Sequence, residues 1–127
     1  MWVFTKYGFF SAVCAGREDD RDVADPGRMM LRARQREHLE ALQERFPAEI
    51  GAAEILAGVG TDYPFRIFID KAAWASVSES LAAEIDYRNF KNEAHSWQGA
   101  TPYLRALSKV WGTMWDLEHD QRSAGRA

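Results

Sequence analysis

Two runs of alternating apolar and polar residues, at 28–34 and 65–70, form the clearest pattern in this chain. Alternate side chains of a β-strand point to opposite faces of its sheet, so each run predicts a half-buried strand. The apolar positions expected to face the core are Met29, Leu31, Ala33, Phe65, Ile67 and Ile69. The opposite face would then carry Arg28, Arg32, Arg34, Arg66 and Phe68.

The remaining hydrophobic pattern predicts further strands and several helices. β-rich runs at 2–5 and 9–15 are separated by a short connection that contains Gly8, which is typical of a hairpin. Another short strand is predicted at 54–57. Apolar residues at helical spacing predict helices at 35–46, after Asp70 with a stripe that ends at Ile85, at 87–97 and from Pro102 onward.

The order of these elements predicts an α+β fold, an antiparallel sheet of about five strands with helices on one face. Its central β-α-β-β-α portion matches most of a ferredoxin-like unit, and the N-terminal hairpin that precedes it can take the place of the missing last strand. We expect a single α+β domain over residues 1–120, with a flexible acidic loop at 16–27 and a frayed tail at 121–127.

Composition and charge narrow the classes of function. The chain has 127 residues, a net charge of −3 and one cysteine. The negative charge argues against a general nucleic-acid coat but allows a local basic stripe on an acidic body. A lone cysteine cannot form an internal disulfide, and we expect Cys14 to be a buried, inert thiol. No apolar run approaches the roughly 20 residues that span a bilayer, and the N-terminus lacks the features of a signal peptide. A cytoplasmic protein with no membrane partner is therefore expected.

The arginine-rich side of the predicted sheet is the sharpest functional signal. Antiparallel sheets bind single-stranded RNA by stacking bases on exposed aromatic rings beside basic side chains. The groups available here are Tyr63 and Phe68 for stacking, and Arg32, Arg34 and Arg66 for phosphates. The alternative is that the C-terminal helix or a second subunit covers this side, with Trp111 and Trp115 stacked on the guanidinium groups.

Residues 61–66 form a dense polar segment at a turn that enters a strand. Arg66 offers a planar fork that can grip an anion, and Asp62 can orient it. In the alternative interpretation, Asp62 caps the turn and Arg66 makes a structural ion pair.

A second polar segment spans residues 86–91. Tyr87 and Lys91 are four residues apart on a predicted helix, so they can share a face and converge on a ligand with Asp86. In the alternative interpretation, Asp86 caps the helix, Tyr87 packs with Phe90, and Lys91 is solvated.

No metal or cofactor site is predicted. None of His38, His95 and His119 has a Cys, Asp or Glu at the spacing of a metal site or a catalytic triad. Gly58 and Gly60 lack the remaining glycine and the following helix of a phosphate-binding loop.

Several phrases together resemble a family of small uncharacterised bacterial proteins. They are Trp-Val-Phe-Thr at 2–5, Gly-Phe-Phe-Ser at 8–11, Arg-Ala-Arg at 32–34, Gly-Thr-Asp-Tyr at 60–63 and Asp-Tyr-Arg-Asn-Phe-Lys at 86–91. The similarity covers nearly the whole chain. It implies a bacterial cytosolic setting and a compact single domain, and it implies no activity and no functional residue.

We therefore expect a non-catalytic binding module for an anionic ligand, with a nucleic acid or nucleotide as the leading candidate and a homodimer as the assembly. Its ligand-binding residues would be Arg32, Arg34 and Arg66 for the anion, Tyr63 or Phe68 for stacking, and Asp62, Tyr87 and Lys91 for the rim. The first alternative is an oligomerisation or protein-partner domain with no small ligand. The second is a small enzyme whose acid–base and electrostatic groups would be Asp62, Asp86, Tyr87 and Lys91.

Overall fold

The computed structural model of the protein describes residues 1–58 and 62–125. The chain divides into two compact units, Met1–Asp86 and Tyr87–Ala127. The single domain expected over residues 1–120 stays a prediction. Among the described residues, no helix combines the length and the apolar character needed to cross a membrane.

The first unit is built on one antiparallel sheet. Its described elements are β1 (Trp2–Thr5), β2 (Gly8–Gly16), β3 (Ala24–Ala33), α1 (Arg36–Arg45), α2 (Pro47–Ile50), β4 (Leu56–Ala57), β5 (Phe65–Asp70) and α3 (Lys71–Ala83). The strand order is β1-β2-β3-β5-β4, and every neighbouring pair is antiparallel. The predicted α+β class and five-stranded antiparallel sheet are confirmed, whereas the ferredoxin-like topology stays a prediction.

One side chain, that of Thr5, hydrogen-bonds the backbone of the N-terminal hairpin turn. The Thr5 hydroxyl accepts hydrogen bonds from the backbone N–H groups of Tyr7 and Gly8, both at 3.1 Å, and donates to the Gly8 carbonyl at 3.0 Å. Such bonds compensate buried polar groups that would otherwise be costly. Antiparallel pairing of β1 with β2 confirms the predicted hairpin.

Strand β3 begins at Ala24, four residues before the predicted start at Arg28. Past an irregularity between Cys14 and Ala15, the pairing with β2 continues to Ala24. Backbone pairing does not require apolar side chains, so Ala24–Gly27 can still form the end of a strand although Asp, Pro and Gly are depleted in strands. The loop expected at 16–27 is accordingly shortened to 17–23, and its flexibility stays a prediction.

One side of the sheet packs against α1 and α3 around a single hydrophobic core. As the alternation predicts, the strand residues Met29, Leu31, Ala33, Ile67 and Ile69 are buried in this core, and Phe65 packs against it. The helices contribute Leu39, Leu42, Trp74 and Val77. Cys14 is partly buried and packs against the same core.

The second unit contains α4 (Phe90–Gln98) and α5 (Pro102–Gly125), which pack against each other. The start of α5 is confirmed at Pro102, and α5 includes residues 121–125 of the predicted tail; residues 126 and 127 lie outside the described part. The prediction that a helix begins near Tyr87 with Asp86 as its cap is wrong. Asn89 caps α4 instead, because its side-chain oxygen accepts a hydrogen bond from the Asn92 N–H at 2.9 Å.

Candidate anion-binding site

The arginine face is the side of the sheet opposite α1 and α3. Arg32 of β3 lies directly opposite Arg66 of β5 in the antiparallel register. Their strand neighbours Leu31 and Ile67 are fully buried in the core, so alternation places both arginines on the other side. The other residues of this face used below are Trp2, Phe4, Phe9, Ser11, Arg28, Met30 and Phe68. Arg34 directly follows β3 and contacts the same Tyr63 ring as Arg32.

The guanidinium groups of Arg32 and Arg66 have neutral partners. Arg32 Nη2 donates to Ser11 Oγ at 2.9 Å. Arg66 Nη1 lies 3.1 Å from Met30 Sδ, and its Nη2 donates to the Tyr63 carbonyl at 3.4 Å. The Nε atoms of both arginines are buried without a hydrogen bond, and no carboxylate among the described residues forms an ion pair with either group. Two adjacent cations therefore have no counter-charge among the described residues.

Tyr63, in the loop before β5, contacts two of the arginines. The guanidinium carbons of Arg32 and Arg34 lie 4.5 and 4.4 Å from the centre of its ring, in cation–π range. Tyr63 is only 2% exposed. The sequence predicts that Tyr63 stacks on a ligand, but the buried ring contacts the protein's own cations. Stacking of a ligand on Tyr63 stays a prediction.

Arg34 and Asp62 form the exposed border of the arginine cluster. Arg34 Nη1 donates to the Asp62 carbonyl at 2.8 Å, and Arg34 Nη2 lies 3.6 Å from Asp62 Oδ1. Their side chains are 56% and 70% exposed, so this ion pair contributes about 1 kcal/mol or less. Arg34 can therefore exchange the carboxylate for an incoming anion at small cost. Thr61, which the sequence analysis placed in the same segment, lies outside the described residues.

Phe68 occupies the other end of the face. It lies directly opposite Met30, and the Arg28 guanidinium carbon is 4.6 Å from the centre of its ring. Phe68 is half-buried and Arg28 is exposed. The arginine covers part of the ring that the sequence predicts for stacking.

The N-terminal hairpin carries an aromatic cluster, Trp2, Phe4 and Phe9, that is absent from the predicted site residues. The rings of Phe4 and Phe9 are stacked, with centres 4.6 Å apart and an interplanar angle of 21°. The Trp2 ring meets Phe9 edge-on at 6.0 Å, and Phe9 lies 6.4 Å from Tyr63. The signal was present in the sequence: if Val3 and Phe10 face the core, alternation puts Trp2, Phe4 and Phe9 on the arginine face.

Tyr87 and Lys91 belong to the second unit. The Tyr87 ring lies 6.4 Å from that of Phe90, and the Lys91 ammonium group lies 5.2 Å from the centre of the Trp111 ring. Trp111 in turn stacks on Trp115 at 5.7 Å. The part of Tyr87 and Lys91 in a ligand rim, and the stacking of the two tryptophans on the arginines, stay predictions.

Comparison of the chain with protein-family models, with curated proteins and with solved structures found no match. The contacts and charges of the arginine face are therefore the basis for a functional proposal.

Proposed function

We propose that this protein is a non-catalytic module that binds the phosphate groups of a nucleic acid or nucleotide on its arginine face. The observation that carries the proposal is the directly opposed pair Arg32 and Arg66, which has no carboxylate partner among the described residues. Like charges directly opposite each other destabilise a sheet. An anion between them replaces that repulsion by attraction.

The chemistry of arginine favours phosphate as the anion. A guanidinium group presents a rigid planar fork of N–H donors that matches phosphate oxygens in a bidentate way. Arg34 extends the cluster toward solvent, and Asp62 forms its rim there. The part of Tyr87 and Lys91 in that rim stays a prediction. A cytoplasmic location, where nucleotides and nucleic acids are abundant, is part of the proposal.

The proposal extends to the fold, which we classify as a ferredoxin-like variant. Strands β3, β5 and β4 lie side by side in that order, and α1 and α3 both contribute to the core on one side of the sheet. Strand β2 lies antiparallel to β3 at the position where the last strand of such a unit would pair. This arrangement supports substitution of that strand by the N-terminal hairpin.

Oligomerisation is a second candidate function, and the exposed apolar surface of α5 favours it. The residues concerned are Val110, Trp111, Met114, Trp115 and Leu117, between 36% and 58% exposed. Contiguous exposed apolar surface is typical of an interface. A purely monomeric protein in analytical ultracentrifugation at high concentration would count against this function.

The enzymatic alternative that uses Asp62, Asp86, Tyr87 and Lys91 stays a prediction.

Fluorescence anisotropy of labelled oligonucleotides at low and moderate salt tests the proposed function. We expect saturable binding that weakens with salt and is at least about tenfold weaker in Arg32→Gln/Arg66→Gln, because a charge-assisted hydrogen bond contributes about 1.5–3 kcal/mol. The control is Arg36→Gln/Arg105→Gln, which removes the same charge from exposed helical positions. Unchanged binding in the first variant, or equal loss in both, would contradict the proposal.

A further inference from the structure

Trp2 of the hairpin aromatic cluster and the opposed arginines lie in one cross-strand row of the arginine face, with the buried Ser11 between them. The register pairs Trp2 with Ser11, Ser11 with Arg32, and Arg32 with Arg66. Leu56 completes this row on β4, so the row crosses all five strands. At about 4.8 Å between strands, the row is about 19 Å long. Phe9 links the same two groups through its contact with the Tyr63 ring.

The outer rings of this cluster have surface to offer a ligand. Trp2 is 71% exposed and Phe4 is 36% exposed, whereas Phe9 is half-buried between them. A single exposed aromatic ring needs no explanation. A set of rings beside cations that have no counter-charge in the described part of the chain combines the two features of a base-stacking platform. Tyr63 and Phe68 offer less, because arginines lie against both rings.

We infer that the ligand is a single-stranded nucleic acid whose bases stack on Trp2 and Phe4 while its phosphates bind Arg32 and Arg66. The inference rests on the proposed function and specifies its ligand. Charge complementarity supplies the attraction, since the strand is anionic and these guanidinium groups have no carboxylate partner among the described residues. The row is longer than one nucleotide, so an oligonucleotide can engage both ends of it.

A double helix does not fit this surface in the same way. Its bases are stacked on one another and present no free π-face to an aromatic side chain. It could reach the arginines through its phosphates alone. Binding that requires both Trp2 and Arg32 therefore distinguishes a single strand from a duplex and from a free phosphate.

The test measures the affinity of fluorescein-labelled single strands of about ten nucleotides, as RNA and as DNA, and of a duplex of the same length. Unlabelled inorganic pyrophosphate, added as a competitor, reports on the arginines alone. Trp2→Leu/Phe4→Leu keeps apolar side chains in β1 but removes the rings. Trp97→Leu is the control, because it removes from α4 a ring that is 55% exposed, a value between those of Phe4 and Trp2.

We expect single strands to bind at least about fivefold more weakly to Trp2→Leu/Phe4→Leu, the lower limit for loss of a base–aromatic stack. Pyrophosphate should compete with single strands for the wild type, and Trp97→Leu should behave as the wild type. Tighter binding of RNA than of DNA would assign a contact to the 2′-hydroxyl, and equal binding would assign recognition to bases and phosphates; either supports the platform.

Three results would overturn the inference. Single-strand affinity unchanged in Trp2→Leu/Phe4→Leu but lost in Arg32→Gln/Arg66→Gln would leave an anion site without a stacking platform. Duplex binding as tight as single-strand binding would likewise indicate an anion site without a stacking platform. Absence of binding to every oligonucleotide and to pyrophosphate would remove the proposed function as well.

Discussion

Arg32 and Arg66 lie directly opposite each other on adjacent antiparallel strands, and their hydrogen-bond partners are a hydroxyl, a thioether sulfur and a backbone carbonyl. A stabilising cross-strand pair contributes about 0.2–1 kcal/mol, and a like-charged pair opposes folding. Leu31 and Ala33 flank Arg32, and Ile67 follows Arg66. All three are fully buried, so neither strand can turn its arginine away without exposing core. The burial of these apolar neighbours therefore keeps the two arginines opposite each other.

Anions should stabilise the folded protein through this pair. A ligand that binds only the native state at a hundredfold excess over its Kd adds about 2.7 kcal/mol to the free energy of unfolding. We expect pyrophosphate to raise the melting temperature by several degrees relative to chloride at equal ionic strength, as followed by circular dichroism. The increase should vanish in Arg32→Gln/Arg66→Gln and persist in Arg36→Gln/Arg105→Gln. An equal increase in all three proteins would point to a general salt effect.

Tyr63 should affect anion binding although its ring is buried. Tyr63→Leu removes the ring against which Arg32 and Arg34 lie, and each cation–π contact contributes about 0.5–2 kcal/mol. We expect lower stability together with weaker competition by pyrophosphate in the anisotropy assay. Tyr63→Phe keeps the ring face and should behave nearly as the wild type. Weak binding in both variants would assign the role to the hydroxyl instead of the ring.

His38 should make the protein less stable in mild acid. It is 7% exposed, and its Nδ1 atom accepts a hydrogen bond from the Phe9 N–H at 3.3 Å, which requires an unprotonated nitrogen. Burial lowers the pKa of His38 below the usual 6.5, with Glu37 opposing the shift. Above about pH 6.5 the imidazole is neutral in both the folded and unfolded states. As the pH falls below that value, the unfolded chain takes up a proton first, so the free energy of unfolding declines toward the lowered folded pKa.

Urea denaturation between pH 7.5 and pH 5.5 measures this dependence. The decline should be shallower in His38→Gln, which cannot take up the proton, even if that variant is less stable at every pH. His95→Gln is the control, because His95 is exposed on α4. A slope that is the same in His38→Gln and the wild type would contradict the assignment.

Tyr7 joins the hairpin turn to the end of α3. Its hydroxyl donates to Glu84 Oε1 at 2.9 Å, while Arg45 Nη2 lies 3.0 Å from Glu84 Oε2. Tyr7→Phe should lower the free energy of unfolding by about 1–2 kcal/mol, since it removes a hydrogen bond to a charged group and little volume. Tyr87→Phe in the second unit is the control and should change stability little.

The same tyrosine predicts a loss of stability at high pH. Burial raises the pKa of Tyr7 above 10, and the hydrogen bond to Glu84 raises it further. The contribution of this group is therefore complete below about pH 10, where the unfolded side chain is still neutral, and is lost as the pH rises through the higher folded value. The difference in free energy of unfolding between the wild type and Tyr7→Phe should be smaller at pH 11 than at pH 9. A constant difference between them would show that Tyr7 ionises normally.

Much of the candidate site follows from the alternation of side chains along two strands. The alternation at 28–34 and 65–70 predicts which side chains lie on the arginine face, and the structure places Arg28, Arg32, Arg66 and Phe68 there. The same rule applied to 2–5 and 9–11 would have found Trp2, Phe4 and Phe9. The start of α4 was harder to predict, because both Asp86 and Asn89 have cap-forming side chains and only the backbone geometry selects one.

The sequence by itself determined which faces of the strands are apolar, because side-chain alternation is a local property of each strand. It also determined the α+β class, since the spacing of apolar residues shows the order of helices and strands along the chain. Only the tertiary structure decided that Arg32 faces Arg66, that Tyr63 is buried against two guanidinium groups, and that the hairpin rings continue the cationic row. Those relationships depend on strand register and sheet order, which are set by the packing of segments far apart in the chain.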